Sequence, residues 1–242
     1  ERLSIEHSFD GKNRLSILLS DLISKEKHGS INHLKATFTF NEKAEVFLVD
    51  DLADIGITHS EITCILLEDS KLVFSFSIKS DISCCTKKCS KKCSCPVVGI
   101  DKVTTLILQE NGAEAKVIGA CLGKDRRSFS FKTIQDHKAS DTVSSVVIKG
   151  VLLDEAAFMS DNLIKVESGL ENVSARQLNK NLLLSDKARV RSLPKLEVKS
   201  NHVDCSHGAA ISRLKEEHLF YMGSRGIHLS SAEQILIKAF LK

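Results

Sequence analysis

Tryptophan is missing from this sequence, tyrosine occurs once and proline twice. Stacking platforms for nucleic-acid bases are therefore scarce. Charge of one sign is missing too. Lysine and arginine number 34 against 31 acidic residues, a net charge of +3, which gives no general signal for binding polyanions. No run approaches the roughly 18 apolar residues of a membrane span. Glu1-Arg2 leads into an ordinary alternating segment rather than a signal peptide. The start at Glu rather than Met leads us to expect a fragment. Signatures of catalysis are also absent: there is no phosphate-cradling glycine loop, no H-E-x-x-H and no G-x-S-x-G. His7, His28, His33, His59 and His137 are isolated and expected in turns or on strand surfaces. Asp50 and Asp51 are adjacent, so in a strand they point to opposite faces and do not form a catalytic pair. The chain is not expected to be an enzyme.

Cysteine is present, eight times. Five of the eight crowd into CCTKKCSKKCSC, at Cys84, Cys85, Cys89, Cys93 and Cys95; Cys64, Cys121 and Cys205 stand alone on apolar segments. A secreted disulfide framework spreads its cysteines along a short chain. Reduced thiols are expected here, in a cytoplasm or an organelle of bacterial ancestry. The five clustered thiols suffice for a tetrahedral Zn or Cu(I) site, and the interleaved Lys87, Lys88, Lys91 and Lys92 favour thiolates. Their spacing fits neither a zinc ribbon nor a ferredoxin run. The plainer reading is an exposed, flexible insertion over about residues 82–96.

Most of the chain alternates with period two. Ala36, Phe38 and Phe40 alternate with threonines; Leu72, Phe74, Phe76 and Ile78 alternate with Val73, Ser75 and Ser77; Phe129 and Phe131 alternate with serines. Further strands are expected at Val103–Leu108, Ala115–Cys121, Ser145–Leu153, Leu163–Val166, Asn181–Leu184, Leu196–Val198 and His202–Cys205, with turns at Asp10-Gly11, Asn111-Gly112 and Ser185-Asp186. Such a pattern admits a sandwich, a barrel or a solenoid, and no motif recurs at a fixed period. Near the end the period changes. Ile211, Leu214, Leu219 and Phe220 fit a short helix that Gly226 stops in a left-handed conformation. Ser230 and Glu233 read as a capping box for a second helix carrying Ile235, Leu236, Ala239 and Phe240. Helices this short must pack on the β-core or on a partner.

Two blocks decide among the architectures. Residues 180–198 read KNLLLSDKARVRSLPKLEV, and residues 201–241 hold a Cys-Ser-His-Gly-Ala turn followed by Leu-Phe-Tyr and Ser-Arg-Gly-Ile. Together with NGAEAKVIGACL and QDHKASDT, they resemble the C-terminal half of the SufB/SufD family of Suf iron–sulfur cluster assembly proteins. The Cys-Ser-His-Gly turn resembles the SufD branch more than SufB. Asp141 stands where the family usually has a second histidine after the Asp-His pair, so no metal role is expected for His137. The CCTKKCSKKCSC segment falls where the family has a plain turn.

The resemblance implies a mainly β fold: a right-handed parallel β-helix over about residues 1–204, then a small helical domain over 205–242. It implies a non-catalytic scaffold that pairs with a SufB-like subunit and docks a SufC-like ATPase, with homodimerisation in isolation and no nucleic-acid or membrane partner. An iron–sulfur cluster or iron would be held transiently and shared with SufB; none is expected tightly bound to the isolated chain. A thiolate and an imidazole both suit iron, and His207 and Cys205 are the residues the resemblance places at the contact with SufB. Two ligands make half a site. Leu219, Phe220, Ile235, Leu236 and Phe240 are the expected ATPase-binding residues. The competing readings are a SufB-like subunit and a β-helical enzyme of unrelated function. The enzyme reading leaves the two helices unexplained.

Overall fold

The computed structural model describes residues 2–10, 14–19, 33–50, 58–79 and 99–241. The segment holding Cys84 to Cys95 and Lys87 to Lys92 lies outside them, as does the expected turn at Gly11.

Among the described residues, fourteen strands alternate between two sheets as the chain advances. They are β1 (Arg2–Phe9), β2 (Arg14–Leu18), β3 (His33–Phe40), β4 (Glu45–Asp50), β5 (His59–Leu66), β6 (Lys71–Lys79), β7 (Gly99–Leu108), β8 (Glu114–Gly123), β9 (Ser128–His137), β10 (Val143–Leu152), β11 (Ala157–Val166), β12 (Glu171–Leu183), β13 (Arg189–Val198) and β14 (His202–Arg213). Odd strands form one sheet in the order β1-β3-β5-β7-β9-β11-β13, and even strands form the other, β14-β12-β10-β8-β6-β4-β2. The pairings are parallel. This is a parallel β-solenoid, and two helices follow it, α1 (Glu216–Ser224) and α2 (Leu229–Leu241).

Parallel in-register pairing stacks each inward position on its counterpart in the next coil, so the core is built of columns. One runs Phe9, Phe40, Leu66, Leu108, His137, Val166, Val198. Phe38, Phe40, Phe74, Phe129, Phe131 and Phe158 are among the most deeply buried side chains. Fully burying one such ring contributes roughly 1.5–3 kcal/mol. Phe131 meets Phe76 and Phe158 edge-on, each at 5.1 Å between ring centres. The Phe76 ring lies across Gly119, where an added Cβ would sit 2.2 Å from its Cζ.

Tight turns link odd strands to even ones. They place Lys43, Asp69, Gly112, Asp141 and Gly169 at positive φ, a conformation that glycine and short polar side chains tolerate best. Their backbones stack as well: Asn41 N–H donates to Phe9 O, Leu67 N–H to Phe40 O and Lys138 N–H to Leu108 O.

Two expectations about the C-terminus are corrected. Cys205 and His207 do not sit in a turn and Ile211 is not helical, because β14 continues to Arg213. The small, polar run Cys-Ser-His-Gly-Ala looks like a turn locally, but β12 offers a ladder for the whole length of β14. Helical structure therefore begins at Glu216, not at residue 205. The second correction concerns the helix caps. Gly226 has φ +80, and Ile227 N–H closes on Met222 O, the expected left-handed stop. The start of α2, however, is capped by His228, whose Nδ1 lies 3.4 Å from the Ser230 N–H and 2.9 Å from the Ser230 hydroxyl. Ser230 is already inside the helix. Helix α2 rests on the solenoid through Ala232, which is fully buried, whereas α1 buries none of its residues. Neither helix is long and apolar enough to cross a membrane.

Candidate functional site at the open end of the solenoid

The last coil has a covered side and an open side. Cys205 ends the inward column Val46, Leu72, Ala115, Ser144, Ala175. His207 ends the column Leu48, Phe74, Val117, Val146, Gln177. Both side chains therefore occupy core-facing positions, on a coil with no further strand of the described residues stacked on it. Leu196, Val198 and Ile211 also stand at core-facing positions of β13 and β14, and they are 40%, 37% and 52% exposed. Next to His207 in the ladder, Gln177 is buried, and neither polar atom of its amide has a hydrogen-bond partner. A buried amide left unpaired costs about 1–3 kcal/mol, so this end of the lumen favours a polar group brought from outside.

The two candidate ligands differ in readiness. Cys205 is half-buried against the small cluster of Ile164, Val166, Val173 and Ala175. Burial raises its thiol above the ordinary value, and the Asp204 carboxylate adds to this. A hydrogen bond with the Ala175 backbone offsets it in part. A metal must displace that proton to bind sulfur. His207 is exposed. The other two cysteines among the described residues, Cys64 and Cys121, are fully buried in apolar surroundings that push their thiols far up, so both are inert core residues.

The coils just before the open end carry a polar interior that periodicity did not reveal. His137, expected in a turn or on a strand surface, is fully buried. Its Nδ1 lies 2.7 Å from Thr142 Oγ1 and its Nε2 2.7 Å from Ser144 Oγ. The Thr142 hydroxyl donates to Ala139 O, and Gln135 Nε2 donates to Ser144 Oγ. These directions leave one consistent chain: Gln135 to Ser144, Ser144 to His137 Nε2, and His137 Nδ1–H to Thr142. The imidazole is neutral, both its nitrogens are committed, and burial holds its pKa down to about 4. Asp50 forms a 2.5 Å ion pair with Lys102, with both side chains almost wholly inside.

His137 makes stability sensitive to acid. Its folded pKa lies below the unfolded value of 6.5. Between pH 6.5 and about 4 the unfolded chain therefore takes up a proton that the folded chain refuses, and stability falls as pH drops. The full effect is roughly 3 kcal/mol. His137→Gln, followed by urea unfolding at pH 7 and pH 4.5, should show a smaller loss between the two than the unaltered chain.

The helices expose much of the expected patch. Phe220 is 80% exposed and Ile235 48%, while Leu219, Leu236 and Phe240 are half-buried. Tyr221 and Leu229, which sequence reasoning did not single out, are 60% and 56% exposed. The Arg225 guanidinium lies 5.5 Å from the Tyr221 ring centre.

Residues 100–240, more than half of the chain, match the family described as SUF system FeS cluster assembly, SufBD core domain. A SufBD family iron–sulfur cluster assembly protein of Synechocystis is 43% identical over 86 residues, which is 36% of this chain and 18% of that one. The iron–sulfur cluster assembly protein SufD of Escherichia coli is 33% identical over 109 residues, 45% of this chain and 26% of that one. Protein ABCI7, chloroplastic, of Arabidopsis thaliana is 42% identical over 122 residues, 50% of this chain and 25% of that one. The matched region thus spans well under half the length of these relatives. The chain belongs to the SufBD family.

Proposed function

We propose that this chain is a SufD-type, non-catalytic scaffold subunit that closes the open end of its solenoid against a SufB-like subunit. The observation that carries this reading is the uncovered last coil. It presents core-facing Leu196, Val198 and Ile211 and two potential iron ligands on the edges formed by β13 and β14, with the unpaired buried amide of Gln177 on the neighbouring β12. Apolar side chains and an open strand edge together favour another protein over water. In the absence of that partner a second copy of this chain would take the same edge.

The cluster is cargo in this reading. His207 supplies an exposed imidazole and Cys205 a more reluctant thiol, and the remaining ligands come from the partner. The exposed apolar side chains of α1 and α2 dock a SufC-like ATPase, so ATP is bound elsewhere and its hydrolysis reaches the site as motion through α1 and β14. The chloroplastic and bacterial relatives favour a cytoplasm of bacterial type or an organelle descended from one.

The edge is tested by photo-crosslinking. A photoreactive amino acid at exposed Ser206 on β14 should give an adduct with a co-expressed SufB-like subunit. The same group at exposed Lys116, on β8 in the middle of that sheet, should not. Equal adducts from both positions, or none from Ser206 in an assembled complex, would move the interface elsewhere.

A further inference from the structure

Three residues far apart in sequence form a single rung on the outer face of the first sheet. His33 opens β3, His59 opens β5, and Asp101 is the third residue of β7; the ladder pairs His33 with His59 and His59 with Asp101. Glu61, two residues after His59, points to the same face. The His33 and His59 rings meet edge-on at 4.1 Å between centres. His59 Nε2 lies 3.4 Å from Glu61 Oε1, and His33 Nε2 lies 3.9 Å from the same oxygen. One ligand atom from each of the three lies within 4.8 Å of the other two. On its other side, His59 Nδ1 lies 3.0 Å from Asp101 Oδ2.

We propose that His33, His59 and Glu61 form a binding site for a divalent first-row transition ion, with Asp101 as the positioning residue behind His59. The tautomer argument is the strongest support. If Nδ1–H donates to Asp101, the neutral ring turns the Nε2 lone pair toward the Glu61 carboxylate. Two acceptors then face each other at 3.4 Å, an approach that a cation between them makes favourable. An imidazole whose second nitrogen is held by a carboxylate is the usual arrangement of a metal-binding histidine, since it fixes the tautomer and raises ligand basicity. Two imidazoles and one carboxylate suit zinc or ferrous iron and leave positions open for water or an exogenous ligand. Ligand atoms around tetrahedral zinc stand roughly 3.3 Å apart, so the 3.4 Å pair is already spaced for binding, while His33, 3.9 Å from the Glu61 oxygen, must move closer. Lys35, paired with Glu61 in the ladder, is the competing cation.

The site is separate from the open end: β3, β5 and β7 lie several coils from β13 in their shared sheet, and β14 belongs to the opposite sheet. Its residues line up only through strand register, and Asp101 and His59 also line a cleft of about 520 Å³ that reaches to Arg189 and Arg191.

The test is a titration of the full chain with Zn²⁺, and with Fe²⁺ without oxygen, by calorimetry, together with the visible spectrum of the Co²⁺ form. The five cysteines Cys84, Cys85, Cys89, Cys93 and Cys95 are first changed to serine, so that thiolates do not contribute. One ion per chain is expected. His33→Gln, His59→Gln and Glu61→Gln should each weaken it by at least about 100-fold, and Asp101→Asn by roughly 10- to 100-fold. Lys35→Ala should tighten binding. Circular dichroism of each variant shows whether the solenoid is retained. No stoichiometric ion in the serine background, or undiminished binding in folded His33→Gln and His59→Gln chains, would overturn the proposal and leave a protonated His59 as what joins the two carboxylates.

Discussion

Phe220→Asp should weaken binding of a SufC-like ATPase by roughly 30-fold or more while leaving the thermal melt of the chain unchanged. The asymmetry follows from exposure. At 80% exposed, the Phe220 ring contributes almost nothing to the fold, and α1 as a whole buries no residue. A large aromatic left in water on a nine-residue helix is the kind of anchor that carries 2 kcal/mol or more at an interface. Tyr221, Leu229 and Ile235 extend the same exposed apolar set. Phe240 and Leu236 are half-buried, so their replacement should affect melting and binding together. Truncation is the stronger variant, and the structure says where to cut. A chain ending at Gly208 loses half of β14, whereas one ending at Lys215 keeps the strand through Arg213 and loses only the helices. The chain ending at Lys215 should keep its β-sheet circular dichroism and lose the ATPase. Retained ATPase affinity in a folded chain ending at Lys215 would place the docking surface on the solenoid.

The second large effect is expected at the last coil. His207→Ala should leave the complex assembled but lower the iron or cluster it holds by about tenfold or more, since loss of a ligand exceeds the tenfold cost typical of losing a ligand's supporting partner. Cys205→Ala should cost less. Its thiol is half-buried and held protonated by burial and by Asp204, whereas the His207 imidazole stands in solvent. Anaerobic reconstitution followed by iron and sulfide analysis checks both. A His207→Ala complex with an unaltered iron content would remove the ligand role from this residue.

The parts of this structure that sequence revealed are those with local causes. Phe38, Phe40, Phe74, Phe76, Phe129 and Phe131 were readable as core because alternation with threonine and serine puts every second residue inside. The solenoid itself was not readable from alternation, which suits a sandwich or barrel equally well; the Pro-x-Leu-Glu-Val and Cys-Ser-His-Gly blocks separated them. What escaped has non-local causes. The strand conformation of Cys205 to Arg213 is imposed by pairing with β12, against the turn preference of Ser206 and Gly208. The burial of His137 depends on Thr142 from the following turn and Ser144 from the next strand satisfying both ring nitrogens. The His33, His59 and Asp101 rung exists only because three strands stack in register. No spacing within one strand announces it. His207 and Cys205 were legible as residues, but their common setting was not: each ends an inward column and so faces the open lumen.

The central claim is that this chain works as the SufD-type member of a Suf scaffold, with the last coil of its solenoid covered by a SufB-like subunit. Native mass spectrometry of the tagged chain isolated from its source cells tests this most directly. The account predicts a complex in which this chain is joined to one SufB-like subunit and to a SufC-like ATPase, with little of the chain alone. Recovery of the chain only by itself or as a homodimer, while SufB-like and SufC-like subunits from the same cells form a complex without it, would contradict the account.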